Sequence, residues 1–196
     1  MKITLSIFYL FLFLITTNAY AEPVVNIRTT YYDISGQTNG ILRREMARKG
    51  PMARSTYRGG QPKRAWAATG WRVNWNADYK PSGYGCKVSA VQTTVSIHFI
   101  YPRWTERATA RPNMGKQWDR MYQALVAHEE THASHGIAAA RQIESELLQL
   151  SRRNSCTGFQ RDIDNHAQKI VQYYNNLDYR FDQRTHHGGN DGVYLP

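Results

Sequence analysis

The chain is poor in cysteine, with two in 196 residues. That excludes a disulfide-dense miniprotein and a multi-cysteine zinc ribbon. Acidic residues are also scarce, 15 against 25 basic ones, for a formal net charge of +10. Such an excess favours anionic partners but does not speak to fold. No internal repeat or long low-complexity tract is visible, which excludes a repeat array. Past the first fifteen residues no apolar run is long enough to cross a bilayer. What is present is ordinary globular composition, 41% hydrophobic and 12% aromatic. It suits one compact domain, is too aromatic for a disordered chain, and is too short for two full enzyme domains.

The first residues read as an export signal. Lys2 supplies the positive end, the run from Ile3 to Ile15 is apolar but for Thr4 and Ser6, and Ala19-Tyr20-Ala21 is an A-x-A cleavage pattern. The rival, a membrane anchor, needs a longer run. The expectation is a signal peptide over 1–21, a single domain over 22–196, and a secreted or periplasmic protein with no transmembrane segment after cleavage. Export permits a disulfide, so Cys86 and Cys156 are expected to pair.

The hydrophobic periods suggest an α+β fold. Residues 26–34 are rich in β-formers, and Thr38 can cap a short helix ending before Gly50-Pro51. Eight basic residues against Glu45 alone fall between Arg43 and Arg64. This stretch could meet an anionic surface or polymer, but no motif for specific nucleic-acid binding accompanies it, and a solvated basic loop is the plainer reading. Trp71, Val73, Trp75, Ala77 and Tyr79 alternate with polar residues, as do Thr93, Val95, Ile97, Phe99 and Tyr101. They predict an antiparallel pair with one wet face. Trp118, Met121, Leu125, His128, His132, His135, Ala139, Ile143 and Leu147 recur at three and four and predict a helix over 116–152. A second helix is expected over 159–177, then an irregular tail. The expected architecture is a small antiparallel sheet and a short N-terminal helix packed on a long C-terminal helical hairpin, zincin-like in outline.

His128-Glu129-Glu130-Thr131-His132 is an H-E-x-x-H on that first helix. Residues four apart share a face, so both imidazoles can reach one Zn²⁺. Glu129 beside them can act as general base on a water activated by the metal. The alternative, a histidine-bearing face that simply packs, leaves three mid-helix imidazoles to be buried without partners.

A catalytic zinc takes a third protein ligand and keeps one position open. His128, His132 and His135 spread over about 10 Å of one straight helix, too far for one ion. Glu144 and Glu146 lie too far along the same helix. A second helix returning antiparallel regains the level of His132 near Asp178, Tyr179, Asp182, His186 and His187, whereas Asp162, Asp164 and His166 stay near the hairpin turn. The candidates for third ligand are His187, His186, Asp182 and Asp178. Tyr179, His186 or Arg184 could steady an oxyanion.

The chain resembles a bacterial family known as a domain of unknown function and described as predicted secreted zinc-dependent proteases. The resemblance rests on Tyr31-Tyr32-Asp33-Ile34-Ser35-Gly36-Gln37-Thr38, Lys49-Gly50-Pro51, Trp71-Arg72-Val73-Asn74-Trp75, Cys86, Pro102-Arg103-Trp104, the H-E-x-x-H and the segment from Asp182 to Gly188. The family's C-terminal signature, D-x-x-T-x-H-G, falls on Asp182, Thr185, His187 and Gly188. It favours His187 over His186 as third ligand, which leaves Asp182, Thr185, His186 and Tyr179 as candidates for supporting or transition-state roles. The expected activity is a zinc metallopeptidase acting on a peptide or protein, held by strand addition along 72–80 or 92–98. A zinc amidase acting on cell-wall peptide and a non-enzymatic basic binding module with a structural metal are the alternatives.

Overall fold

The structure is a computed structural model that describes residues 22–53, 63–83 and 85–196. The expected signal peptide and much of the basic stretch lie outside the described residues. In chain order the elements are β1 (Val24–Ile34), α1 (Asn39–Lys49), β2 (Met52–Ala53), β3 (Lys63–Arg64), β4 (Ala68–Ser82), β5 (Gly85–Trp104), α2 (Pro112–Leu147), β6 (Ser151–Arg153) and α3 (Phe159–Thr185).

The class is α+β, but the sheet is mixed where an all-antiparallel one was expected. β4 runs antiparallel to β5, as the alternation predicted, while β1 lies parallel on the other side of β5. β-forming residues in β1 announce a strand and not its partner, which is why sequence missed this pairing. β5 is therefore central and cannot take an added peptide strand over 92–98. β4 remains an edge.

One face of β5 is buried through Val88, Val91, Thr93, Val95, Ile97, Phe99 and Tyr101, and α2 packs on it. The stripe that predicted α2 is its buried face, from Met114 through Trp118, Met121 and Leu125 to Ile143 and Leu147. α2 starts earlier than expected, with Pro112 in its first turn, and stops at Leu147. Residues beyond that fold back as β6 against the start of β5. Thr93 anchors this layer. Its backbone N–H and its Oγ1 both donate to Glu144 Oε1, at 2.9 and 2.8 Å, which accounts for a carboxylate at 3% exposure in the core. A disulfide joins Cys86 on β5 to Cys156 just ahead of α3, as the two lone cysteines implied.

α3 is eight residues longer than the expected helix and ends at Thr185. The polar run around Asn175 and Asn176 hid the period, but Ile163, Ala167 and Ile170 fix its buried face and the helix carries on past them. It returns antiparallel to α2: His166 meets Glu146 near the turn, and Asp178 and Asp182 meet the histidines of α2 further up.

Close approach of α2 to β4 depends on Gly136. A Cβ there would sit 2.7 Å from Trp71 Cγ. The indole cannot swing aside freely, because its Nε1 donates to Asp178 at 2.7 Å. Gly136→Ala gains about 1 kcal/mol of helix propensity but overpacks the contact at a cost of about 1–3 kcal/mol. Net destabilisation is the expected result, read as a lower urea midpoint at unchanged slope. A midpoint at or above wild type would show that the contact yields.

Candidate metal centre

The two helices bring four residues face to face because each carries a pair four apart. On α2 the pair is His128 and His132, and on α3 it is Asp178 and Asp182. Asp182 Oδ1 lies 3.1 Å from His128 Nε2 and 3.1 Å from His132 Nε2. Among the described residues, these three form one group whose donor atoms all fall within 4.8 Å of one another. This group can hold a metal ion. Donors at bonds of about 2.0–2.1 Å round a tetrahedral zinc sit about 3.3 Å apart, close to the observed spacing.

The charge balance points the same way. Burial works against protonation of His132, yet hydrogen bonds to Asp178 and Asp182 outweigh it and push its pKa up to about 10. Burial also works against ionisation of Asp182, but His128 and His132 hold it well below the usual carboxylate range. The pocket thus draws positive charge, which a dication supplies as well as a proton does. His128 Nδ1 is buried without a partner among the described residues, while Nε2 meets Asp182.

A second group, His132, His135 and Asp178, lies behind the first. Asp178 Oδ1 accepts from His132 Nδ1 at 2.9 Å and from His135 Nδ1 at 2.6 Å, while Oδ2 accepts from Trp71 Nε1 at 2.7 Å. A carboxylate on Nδ1 fixes the ring so that Nε2 aims at the first group, the usual outer support of a metal-binding imidazole. Asp178 and His135 are placed either to support the first group or, with His132, to hold an ion themselves. Phe181 closes another side, stacked on His128 with centroids 4.7 Å apart and edge-on to His132 at 5.2 Å.

Glu129 is buried on the sheet side of α2. Thr69 Oγ1, at the start of β4, donates to its Oε2 at 2.7 Å. Burial raises its pKa above the ordinary carboxylate value, and the Thr69 bond and the nearby imidazoles only partly offset this. Such a carboxylate is pinned and ready to accept a proton.

The remaining candidates separate by position. His187 Nδ1 lies 3.7 Å from Asp182 Oδ1, and its side chain is 58% exposed. It stands beside the three-donor group without joining it. His186 turns away and meets Asn190 at 3.2 Å. Tyr179 accepts from Gln183 on the exposed side of α3, and Arg184 lies over Phe181. Thr185 is buried; its Oγ1 donates to Phe181 O and accepts from the Gly188 N–H, which shapes the turn. Sequence reasoning missed Thr69, Trp71 and Phe181. Nothing in the spacing of a strand residue or a helix aromatic shows what it meets across the fold.

The site and its scaffold define an α+β protein with a buried His–His–Asp donor set between two antiparallel helices. Residues 29–188 match the family described as bacterial protein of unknown function (DUF922), and the chain belongs to that family. No curated protein and no solved structure matches it.

Proposed function

We propose that this protein is an exported zinc metallopeptidase, with His128, His132 and Asp182 as the metal ligands and Glu129 as the general base. The observation that carries the reading is Glu129, buried and pinned by Thr69, on the same helical turn as two imidazoles that share one carboxylate oxygen. The disulfide suits an oxidising compartment, and among the described residues no helix is long and apolar enough to cross a membrane.

Zinc held there supplies a Lewis acid for an amide carbonyl and lowers the pKa of water. Glu129 takes a proton from the attacking water as the new C–O bond forms. Thr69 donates to Oε2 and so holds the carboxylate in position for this transfer. The carboxyl then passes that proton to the amide nitrogen as the C–N bond breaks. Asp178 keeps the His132 ring in place throughout. Among the described residues the outer edge of β4 is unpaired and begins beside Glu129, so an extended peptide added along residues 68–71 passes the base.

The test is removal of the metal. Protein dialysed against 1,10-phenanthroline is expected to lose hydrolysis of denatured casein and to regain it with zinc. Purified protein that holds no transition metal, or that cleaves equally after chelation, ends this reading.

A further inference from the structure

His187 has no part in the three-donor group, yet the fold goes to some length to place it there. His186, His187 and Gly188 have φ of 49°, 55° and 80°, three consecutive residues in the left-handed region. For the two histidines this conformation is costly, because a Cβ crowds the following carbonyl. The turn is held by several bonds. His187 N–H donates to Asp182 O at 2.9 Å, Gly188 N–H to Thr185 Oγ1 at 3.2 Å, and Val193 N–H to Gly188 O at 3.0 Å. Gly188 is wedged in as well: a Cβ on it would lie 2.5 Å from Val193 Cγ2 and 3.2 Å from His128 Cγ. The result is an imidazole on the rim of the site, nearest the very oxygen that both ligand histidines share.

Other side chains line the remaining sides. Phe181 covers His128, Asp178 with Trp71 backs His132, and Glu129 with Thr69 fills the sheet side. The donor side chains are 4%, 11% and 24% exposed, against 58% for His187. Of these side chains His187 is the one that meets solvent most, beside the donor set, where a bound substrate can touch it. Resting on the zinc-peptidase reading above, we infer that His187 is a catalytic residue that touches substrate: its ring N–H donates a hydrogen bond to the scissile carbonyl oxygen as negative charge builds there. It is not a metal ligand. The strained turn is what holds that donor in place before substrate binds.

The experiment compares wild type, His187→Gly and Asp182→Asn, each loaded with Co²⁺ alone for its visible spectrum, then with zinc for casein turnover. Glycine accepts φ of 55° without strain, so the first variant is expected to melt at or above the wild-type Tm. It should give the wild-type cobalt spectrum and affinity, while kcat falls about 10²–10³-fold and KM changes little. A changed cobalt spectrum or weakened metal affinity in His187→Gly would make His187 a ligand and overturn the inference, as would an unchanged kcat. Failure of the underlying reading looks different: wild type itself takes up no cobalt, and the catalytic assignment then falls with it.

Discussion

Glu129→Gln is expected to leave the metal in place and to lower hydrolysis about 10²–10⁴-fold. Glutamine keeps the size of the side chain, and its carbonyl oxygen can accept the Thr69 Oγ1 bond now made to Oε2. What it cannot do is take a proton. A fall in rate with unchanged zinc content therefore isolates proton transfer from metal binding. Stability gives an independent check on the metal-free protein. Burial raises the Glu129 pKa above its unfolded value, so the protonated form suits the fold. The sign follows: this carboxyl is least unfavourable to folding at low pH, and the fold loses stability as pH rises through the raised folded value. Glutamine never ionises, so the variant is expected to match or exceed the wild-type Tm at neutral pH. Wild-type turnover in Glu129→Gln would remove this residue from the reaction. A lost metal would instead show that the carboxylate holds the site together.

Much of the centre was legible because helix geometry is simple arithmetic. Four-residue spacing put His128 and His132 on one face, and the rise per residue put Asp178 and Asp182 at their level on a returning helix. The alternation of 71–79 and 93–101 likewise gave β4 and β5 and their antiparallel pairing. Contacts between distant elements were not legible. The parallel pairing of β1, the Thr69–Glu129 bond and the Trp71–Asp178 bond are tertiary facts with no local signature. The end of α3 mattered most. Taken as irregular from Asp182, the tail made any of its side chains free to reach the His128–His132 pair. With α3 continuing to Thr185, Asp182 falls one turn after Asp178 on the same face and His187 falls beyond the helix, in a turn of its own. His135 shows a related limit. Its distance from His128 argued against three imidazoles on one ion, and the structure shows that the same position lets it share Asp178 with His132.

The second large effect concerns Asp182. Among the described residues its Oδ1 is the carboxylate oxygen common to His128 and His132, so Asp182→Asn removes a charge and a metal-donor oxygen while barely changing volume. Zinc affinity, measured by competition with a chromophoric chelator, is expected to fall by more than the 10–100-fold typical of losing an outer-shell partner. Asp178→Asn supplies that comparison in the same protein, because among the described residues its hydrogen bonds go to His132 Nδ1, His135 Nδ1 and Trp71 Nε1. The two variants should thus order themselves, with Asp182→Asn the weaker binder by a wide margin. Their effect on His132 should be ordered too. Both carboxylates raise its pKa, so each variant lowers it, but only Asp182→Asn also strips the Nε2 side of its partner. The His132 imidazole followed by NMR in the metal-free protein gives this second reading. If Asp182→Asn binds zinc as tightly as wild type, the third ligand is not Asp182. The tail histidine at 3.7 Å, which the family signature suggests, then becomes the ligand in its place.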